Sequence, residues 1–213
     1  MPKDTFLNLE VEKQEKVMRA AITEFSKHGY EKGNVASIAK TAGVAKGSMY
    51  QYFENKKEIF LFSVKWSMDF FMKKYNNYID PKQMKGNIFD YMIITSRDMW
   101  EQIREEREIV IFLHDVFLGK YKNLTEKSME YVMEVSNKYL EEFIIEGKKN
   151  GYIRKDIDDN ILAMYMMGVS LKIKEYLINK ARLLGSDIID EPFEVHEKEL
   201  QDIMKLLKNG MGA

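Results

Sequence analysis

The feature that most constrains the fold is a pair of short helical segments joined by a brief turn. Asn34 is a favourable N-cap for a helix over residues 35–42. Gly43 ends that helix, and three residues separate Ala42 from Lys46, where a helical pattern resumes. Two short helices joined by a glycine-containing turn of this length are typical of a helix-turn-helix.

A longer amphipathic helix precedes this pair. Apolar side chains recur at helical spacing over residues 10–28, at Val17, Met18, Ala21, Ile22 and Phe25. Gly29 follows, and glycine adopts the left-handed conformation that commonly closes a helix. Residues 1–55 are therefore predicted to form a three-helix domain that contains the helix-turn-helix.

The second helix of the pair has two different faces. Its apolar face carries Met49 and Phe53, with Tyr52 at the flank, and is expected to pack on the first two helices. The opposite face has hydrogen-bonding groups and no bulky aliphatic side chain: it carries Gly47 and Gln51, with Ser48 and Tyr50 on its two shoulders. Glycine lets the backbone approach a partner closely, and the polar groups suit base edges and phosphate oxygens. The pattern predicts a recognition helix for DNA.

The next helix begins with a capping box and two lysines. Asn55 and Glu58 have the spacing of that motif and open a predicted helix over residues 56–78. Lys56 and Lys57 lie in its first turn, where the helix dipole disfavours cations. A phosphate would turn this arrangement into a binding site, because free backbone N–H groups and lysine would converge on it.

Charge and composition support a DNA-binding end on an all-α body. The net charge of the 213 residues is −1, but residues 27–57 carry six lysines against two glutamates. The chain has only 3 prolines and 12 glycines, which favours helices, and it has no cysteine, which excludes disulfides and thiolate metal sites. No apolar run approaches the roughly 20 residues of a membrane span. We expect a cytoplasmic protein with no membrane partner.

The N-terminal region resembles the TetR family of one-component transcriptional regulators. The resemblance is carried by Ala20-Ala21-Ile22-x-x-Phe25, Gly29-Tyr30, Ile38-Ala39-x-x-Ala42-Gly43-Val44, Lys46-Gly47-Ser48-Met49-Tyr50-x-Tyr52-Phe53 and Asn55-Lys56-x-Glu58. The segment at residues 151–156 is a further family-like feature. The remainder is similar to the family only as a helical body of the right length.

The resemblance implies a ligand-responsive regulator, expected to be a repressor, that binds an inverted repeat in double-stranded DNA as a homodimer. A small apolar or amphipathic effector would release it, and no catalytic activity, metal or cofactor is expected. The resemblance places Lys46, Gly47 and Tyr50 nearest the bases. It assigns phosphate contacts to Ser48, Gln51, Tyr52 and Lys56. Supporting contacts come from the preceding helix and its N-cap, through Asn34, Ser37 and Thr41. Ala45 departs from the serine that the family often has at the recognition-helix N-cap, which removes a cap of ~1 kcal/mol, and Gly33-Asn34 replaces a usual pair of hydroxyl residues.

Residues 56–213 are predicted to form a larger helical domain for ligand binding and dimerisation. Asp80-Pro81 breaks the chain, and further helices are expected at about 84–104, 107–118, 123–149, 158–184 and 193–208. The first half of the helix at 158–184 is apolar nearly all round, so one side needs a covering surface besides its own core. We expect the last two helices of each subunit to form a four-helix dimer interface through Ile161, Met164, Tyr165, Leu200, Ile203, Met204 and Leu207.

The expected effector site lies beside the helix at 56–78. Trp66 and Phe70 lie on the same helix as Lys56, so a ligand beside them could tilt the helix and change the separation of the two DNA-binding ends. Trp100, Phe117 and Tyr165 are the other residues assigned to this pocket.

A second interpretation stays open, in which the chain is a helical small-molecule-binding protein or enzyme and its helix-turn-helix is only structural. The three histidines, at positions 28, 114 and 196, form no HExxH motif. His114 and Asp115 are the one adjacent pair that could act as a hydrogen-bonded catalytic pair. The polar outward face of residues 46–51 favours the regulator over this alternative.

Overall fold

The chain folds as an all-α protein, as predicted. The computed structural model describes residues 1–75, 80–83 and 86–211, and within these ranges the regular structure is helical with no strand. Numbered in chain order, the α-helices are α1 Asp4–Leu7, α2 Val11–Lys32, α3 Val35–Thr41, α4 Lys46–Tyr52, α5 Lys56–Lys74, α6 Ile88–Ile103, α7 Arg107–Phe117, α8 Thr125–Lys149, α9 Asp159–Leu183 and α10 Glu197–Met211. No helix in the described ranges is long and apolar enough to cross a membrane.

The helix-turn-helix prediction is confirmed by α3 and α4. The Asn34 side chain accepts a hydrogen bond from the Ala36 N–H at 2.8 Å, which caps α3. Gly43 has φ 69° in the turn, and the Val44 N–H donates to the Ala39 carbonyl at 2.9 Å. A residue with a side chain would be strained at that φ, so glycine lets the chain reverse before α4 begins at Lys46.

The other helix bounds differ from the predicted ones where the local boundary signals are weak. Helix α2 is interrupted at Gly29, the predicted stop, where φ is 70° and ψ is 172°, and a short helical segment beyond this kink reaches Lys32. Helix α6 begins at Ile88 because the Asn87 side chain accepts from the Phe89 N–H at 3.0 Å. Helix α10 begins at Glu197, after a separate 3-10 turn. The predicted helical residues 76–78 and 84–85 lie outside the described residues.

The helices group into two compact units. Unit 1 comprises Met1–Phe70 and Arg107–Val132, and unit 2 comprises Phe71–Glu106 and Met133–Ala213. Helix α5 therefore contributes its residues up to Phe70 to the unit that holds the helix-turn-helix. The functional boundary predicted at residue 55 stays a prediction. The boundaries between the two compact units lie after Phe70, Glu106 and Val132 instead.

The core of unit 1 explains why α5 and α7 belong with the helix-turn-helix. Phe60 of α5 is fully buried, and its ring lies 5.2 Å from Phe25 of α2 and 5.6 Å from Phe112 of α7, between centroids. Tyr121 packs on the same ring at 4.7 Å. These edge-to-face contacts join the three helices through one buried aromatic side chain.

The core of unit 2 is formed by α6, α8, α9 and α10. Its buried members are Ile88, Phe89, Leu140, Phe143, Ile144, Ile153, Leu162, Met166, Met167 and Leu207. Ile153 packs so closely on α8 that a Cβ on Gly147 would lie 2.5 Å from its Cδ1 atom, so a larger residue at this position would require the Ile153 side chain to shift. The family-like segment at 151–156 thus begins by docking the chain onto α8.

Candidate nucleic-acid interface

Helix α4 separates its buried and exposed side chains as the sequence predicts. Met49 is fully buried on the inner face. Lys46, Gly47 and Gln51 are exposed, and Ser48 is partly buried. Tyr50 is 47% exposed, although a large aromatic side chain is usually more deeply buried. The exposed surface combines a cation, an amide, a phenol and a bare backbone segment, which are groups that bind base edges and phosphates.

Tyr52 lies on the other side of α4. It is only 6% exposed, and its ring packs edge-on against Phe6 with centroids 5.7 Å apart. The structure therefore gives Tyr52 a packing role in unit 1. Its burial agrees with the position that helical spacing predicts at the flank of the apolar face, and the phosphate contact that the family resemblance implies stays a prediction.

The start of α3 is held by a buried carboxylate that the sequence analysis missed. Glu24 of α2 is 8% exposed. Its two oxygens accept hydrogen bonds from the Asn34 backbone N–H at 2.9 Å and from the Ser37 hydroxyl at 2.6 Å. Burial raises the pKa of Glu24, but the bonds from Ser37 and Asn34, together with nearby cations, outweigh it and lower the pKa below the usual value.

A sequence signal for Glu24 exists. The residue lies three positions after Ala21 and seven after Val17, on the apolar stripe of α2. An acidic residue on such a stripe needs a buried donor, because an unpaired buried carboxylate is costly. The same contact shows that Ser37, predicted to support a phosphate contact, directs its hydroxyl hydrogen inside unit 1.

Lys56 also has an internal partner. Its Nζ donates to the carbonyls of Glu31 at 3.0 Å and Gly33 at 3.2 Å, and it lies 4.7 Å from the centre of the Tyr30 ring. A cation at carbonyls that end a helix is favourable because these groups have no partner within the helix. Lys56 therefore fastens the end of α2 to the start of α5, while its neighbour Lys57 is exposed.

The predicted capping box at the start of α5 is present in a modified form. The Glu58 N–H donates to Asn55 Oδ1 at 3.0 Å, as expected. The Glu58 carboxylate accepts from the Glu54 N–H at 3.0 Å, one residue before the expected donor. Of the remaining predicted DNA residues, Thr41 is exposed, and Asn34 is exposed but uses its side chain to cap α3.

The five residues assigned to the effector pocket are divided between the two units. Trp66 and Phe70 stack with their ring centroids 5.1 Å apart, and both are partly buried in unit 1 together with Phe117. Trp100 belongs to unit 2, where its Nε1 donates to the Glu191 carbonyl at 2.8 Å. Tyr165 lies exposed on α9. The hydrogen bond of Trp100 gives it a structural role, and the ligand role of the other residues stays a prediction.

A cavity that the sequence analysis did not predict lies in unit 1. Its volume is about 390 Å³. It is lined by Met1, by Asn55, Lys57, Glu58, Leu61 and Phe62, and by Lys127, Glu130 and Tyr131. Its lining mixes two lysines and two glutamates with apolar side chains, so charge alone selects no ligand. In the described part of the chain, no group of three or more His, Cys, Asp or Glu side chains could hold a metal ion.

The residues assigned to the dimer interface differ in exposure. On α9, Ile161, Met164 and Tyr165 are exposed, with Met164 at 67%, while Leu162 and Met166 are buried in unit 2. This two-sided pattern agrees with the sequence analysis. On α10, Leu207 is only 4% exposed and belongs to the core of unit 2, against which Ile203 and Met204 also pack.

The apolar stripe on α10 is thus largely covered within one subunit. Leu200 is partly buried, as are Ile203 and Met204. Leu206, which lies off that stripe, is exposed. The α10 residues assigned to the dimer interface therefore pack largely within unit 2 of one subunit. The sequence showed their apolar stripe but not which surface covers it.

Three comparisons with known proteins agree with this geometry. Residues 17–61 match the family described as bacterial regulatory proteins, tetR family. The chain is 24% identical over 152 residues to the fatty acid metabolism regulator protein of Bacillus subtilis (strain 168), over 71% of this chain and 76% of that protein. It is 38% identical over 74 residues to IcaR of Staphylococcus aureus (strain Newman), the negative transcriptional regulator of the biofilm operon icaADBC. That match spans 35% of this chain and 38% of IcaR.

The fold is shared with a solved regulator. The crystal structure of FadR from Bacillus subtilis in complex with stearoyl-CoA is similar with a TM-score of 0.68 at 20% sequence identity. The similarity covers 92% of this chain and 98% of that one. It extends the likeness beyond the matched N-terminal domain to the helical body.

Proposed function

We propose that this chain, whose residues 17–61 match the tetR family of bacterial regulatory proteins, is a transcriptional repressor that binds an inverted-repeat operator as a homodimer and releases it when an amphipathic effector binds. The observation that carries the DNA-binding part is the exposed face of α4. Lys46, Tyr50 and Gln51 face solvent there, beside a glycine, while the opposite face of the helix is packed in unit 1. Binding to DNA implies that the protein acts in the cytoplasm.

Substitutions on this face test the proposal. Lys46→Ala and Tyr50→Ala should each reduce the discrimination between operator and random DNA by ~1–3 kcal/mol for every base interaction that the substitution removes. The matched control is Lys205→Ala, which removes another exposed lysine, from unit 2. Fluorescence anisotropy with labelled DNA measures the two affinities. Equal reductions in all three variants would contradict a reading role for α4.

The proposed dimer uses the exposed face of α9. Ile161, Met164, Tyr165 and Gly168 follow one another at helical spacing, and all four are exposed in the single chain. A Cβ built on Gly168 would meet nothing within 4 Å, so the backbone there is open to a close partner. A symmetric pair of such faces would leave two copies of α4 related by a two-fold axis, which is why the operator is expected to be an inverted repeat.

The proposed effector is amphipathic, with a long apolar chain. The support is the fold shared with FadR of Bacillus subtilis, which was solved with stearoyl-CoA, and the likeness to the fatty acid metabolism regulator of the same organism. A long-chain acyl thioester is therefore the first class to test. The matched relatives are regulators, so they lend no support to the enzyme alternative.

Intrinsic fluorescence provides the effector test. Trp66 and Trp100 are the two tryptophans of the chain, and Trp100→Phe leaves Trp66 as the reporter beside Phe70. Stearoyl-CoA should change the Trp66 emission and weaken operator binding over the same concentration range, and operator DNA should weaken stearoyl-CoA binding by the same factor. Binding that leaves the DNA affinity unchanged would contradict the coupling.

A further inference from the structure

The last turn of the recognition helix α4 is closed by a segment from the beginning of the chain. The final carbonyls of a helix have no partner within it. In α4 the Tyr52 carbonyl accepts from the Lys3 backbone N–H at 2.9 Å, and the Tyr50 carbonyl accepts from Lys3 Nζ at 3.0 Å. The Gln51 carbonyl accepts from the Thr5 hydroxyl. Residues 3 and 5 thus satisfy three successive carbonyls of the helix.

The segment is anchored by packing as well as by hydrogen bonds. Phe6 of α1 is fully buried, and its ring lies 4.9 Å from Phe53 and 5.6 Å from Phe62, between centroids. It also contacts Tyr52, so its ring meets aromatic residues at the end of α4 and on α5. Helix α4 has no glycine cap of its own, because its C-cap is Phe53 in an extended conformation. The segment therefore supplies the cap that the local sequence lacks.

We propose that Lys3 and Thr5 are positioning residues for DNA recognition, which hold the last turn of α4 so that the side chain of Tyr50 keeps the orientation that reads bases. The proposal rests on the DNA-binding function proposed above. Two of the capped carbonyls belong to the same residues whose side chains form the exposed face. Movement of this turn would move the reading groups while leaving the lysines that attract DNA in place.

This role makes a different prediction from a phosphate contact by Lys3. Removal of a phosphate contact weakens binding to all DNA and lowers the slope of log affinity against log salt by about 0.9. Removal of a positioning contact weakens operator binding and leaves random-DNA binding and the salt slope unchanged. Thr5 separates the two cases, because Thr5→Val removes a hydroxyl without changing charge.

The experiment compares Thr5→Val and the double variant Lys3→Met/Thr5→Val with wild type and with a matched control. Thr95→Val removes another threonine hydroxyl bonded to a backbone carbonyl, that of Tyr91 at 2.9 Å, on α6 in unit 2. Two measurements are made on the full chain: amide hydrogen exchange of Phe53, whose N–H bonds to Met49 in the last turn, and the affinity ratio between selected operator and random DNA.

We expect the Phe53 amide of the double variant to exchange at least about fivefold faster than in wild type. We expect its ratio of operator to random-DNA affinity to be about threefold to tenfold lower. These are the effects of removing one or two modest hydrogen bonds. Thr5→Ser, which keeps the hydroxyl and is made in the chain that retains Lys3, should leave both values close to those of wild type. Exchange within twofold of Thr95→Val overturns the proposal, as does faster exchange with an unchanged affinity ratio. An equal weakening on random DNA with a reduced salt slope also overturns it.

The exchange measurement separates this proposal from the function on which it rests. If wild-type protein selects no operator, the DNA-reading function fails. The Phe53 exchange rate in free protein then still decides whether Lys3 and Thr5 hold α4, and a rate equal to that of Thr95→Val refutes the positioning contact by itself.

Discussion

Replacing Glu24, the buried carboxylate that holds the start of α3, should loosen the helix-turn-helix without touching its exposed face. Glu24→Gln keeps the shape of the side chain, and its amide can still bond to the Asn34 N–H and the Ser37 hydroxyl. What it loses is the charge. Hydrogen bonds to a charged group contribute about 1.5–3 kcal/mol and neutral ones about half as much, so we expect a loss of about 1–2 kcal/mol in the free energy of unfolding of unit 1.

A graded series of variants tests this magnitude. Glu24→Met fills similar volume but leaves the buried Asn34 N–H without an acceptor, so we expect a loss of about 2–4 kcal/mol. Glu12→Gln is the control on the same helix, because Glu12 is exposed and pairs with Lys16 at the surface. Such a pair contributes about 0–1 kcal/mol, so the control should change the free energy of unfolding little.

The effect should depend on pH with a definite sign. Burial raises the pKa of Glu24, but the bonds from Ser37 and Asn34 outweigh it and lower the folded-state pKa, so the carboxylate stabilises the folded state above the ordinary glutamate pKa. That stability is lost as pH falls through the lowered folded-state value. The difference between wild type and Glu24→Gln should therefore be largest near pH 7 and shrink as pH falls below about 4.3.

Urea unfolding followed by circular dichroism, and by Trp66 fluorescence in a Trp100→Phe background, measures these differences in unit 1. The account is refuted if Glu24→Gln and Glu24→Met both stay within about 0.5 kcal/mol of Glu12→Gln. It is also refuted if the difference between wild type and Glu24→Gln is the same at pH 7 and pH 4.

Three further predictions concern other contacts. Lys56→Met should lower the unfolding free energy by about 1–2 kcal/mol, because two carbonyls and the ring of Tyr30 lose their cation. It should leave the slope of log DNA affinity against log salt unchanged, and Lys57→Met is the exposed control. A slope reduced by about 0.9 in Lys56→Met would instead indicate a phosphate contact. Met164→Arg should give a monomer of 25.2 kDa in sedimentation with an unchanged urea midpoint, since the side chain is exposed in one subunit; a dimer as tight as wild type refutes the α9 interface. Phe60→Ala should destabilise unit 1 by about 3–5 kcal/mol, and a loss under about 1 kcal/mol would contradict its central place in the aromatic core.

The sequence predicts the helix-turn-helix well because its signals are local. Asn34 caps the helix that follows it, and Gly43 makes the turn that precedes α4. The buried and exposed faces of α4 follow from helical spacing within seven residues. Each of these features depends on groups a few residues apart, so an amino-acid pattern can reveal them.

Features that depend on distant parts of the chain were not predictable in the same way. Lys3 bonds to a residue 47 positions away and Thr5 to one 46 positions away, and a short segment near the chain start gives no periodic pattern. The first turn of α5 suggested a phosphate site at Lys56, but a cation serves equally well at the carbonyls that end α2. The apolar stripe on α10 was visible, whereas its covering surface in unit 2 was not. Tertiary packing decides each of these cases.

Selection of binding sites from random double-stranded DNA tests the central claim most directly. The exposed face of α4, presented twice by a homodimer, should enrich an inverted repeat whose two half-sites lie about one helical turn apart or a multiple of it. Selection with Tyr50→Ala should enrich the same spacing with relaxed preference at one base pair of each half-site. Enrichment of no inverted repeat by the wild-type protein would contradict the account.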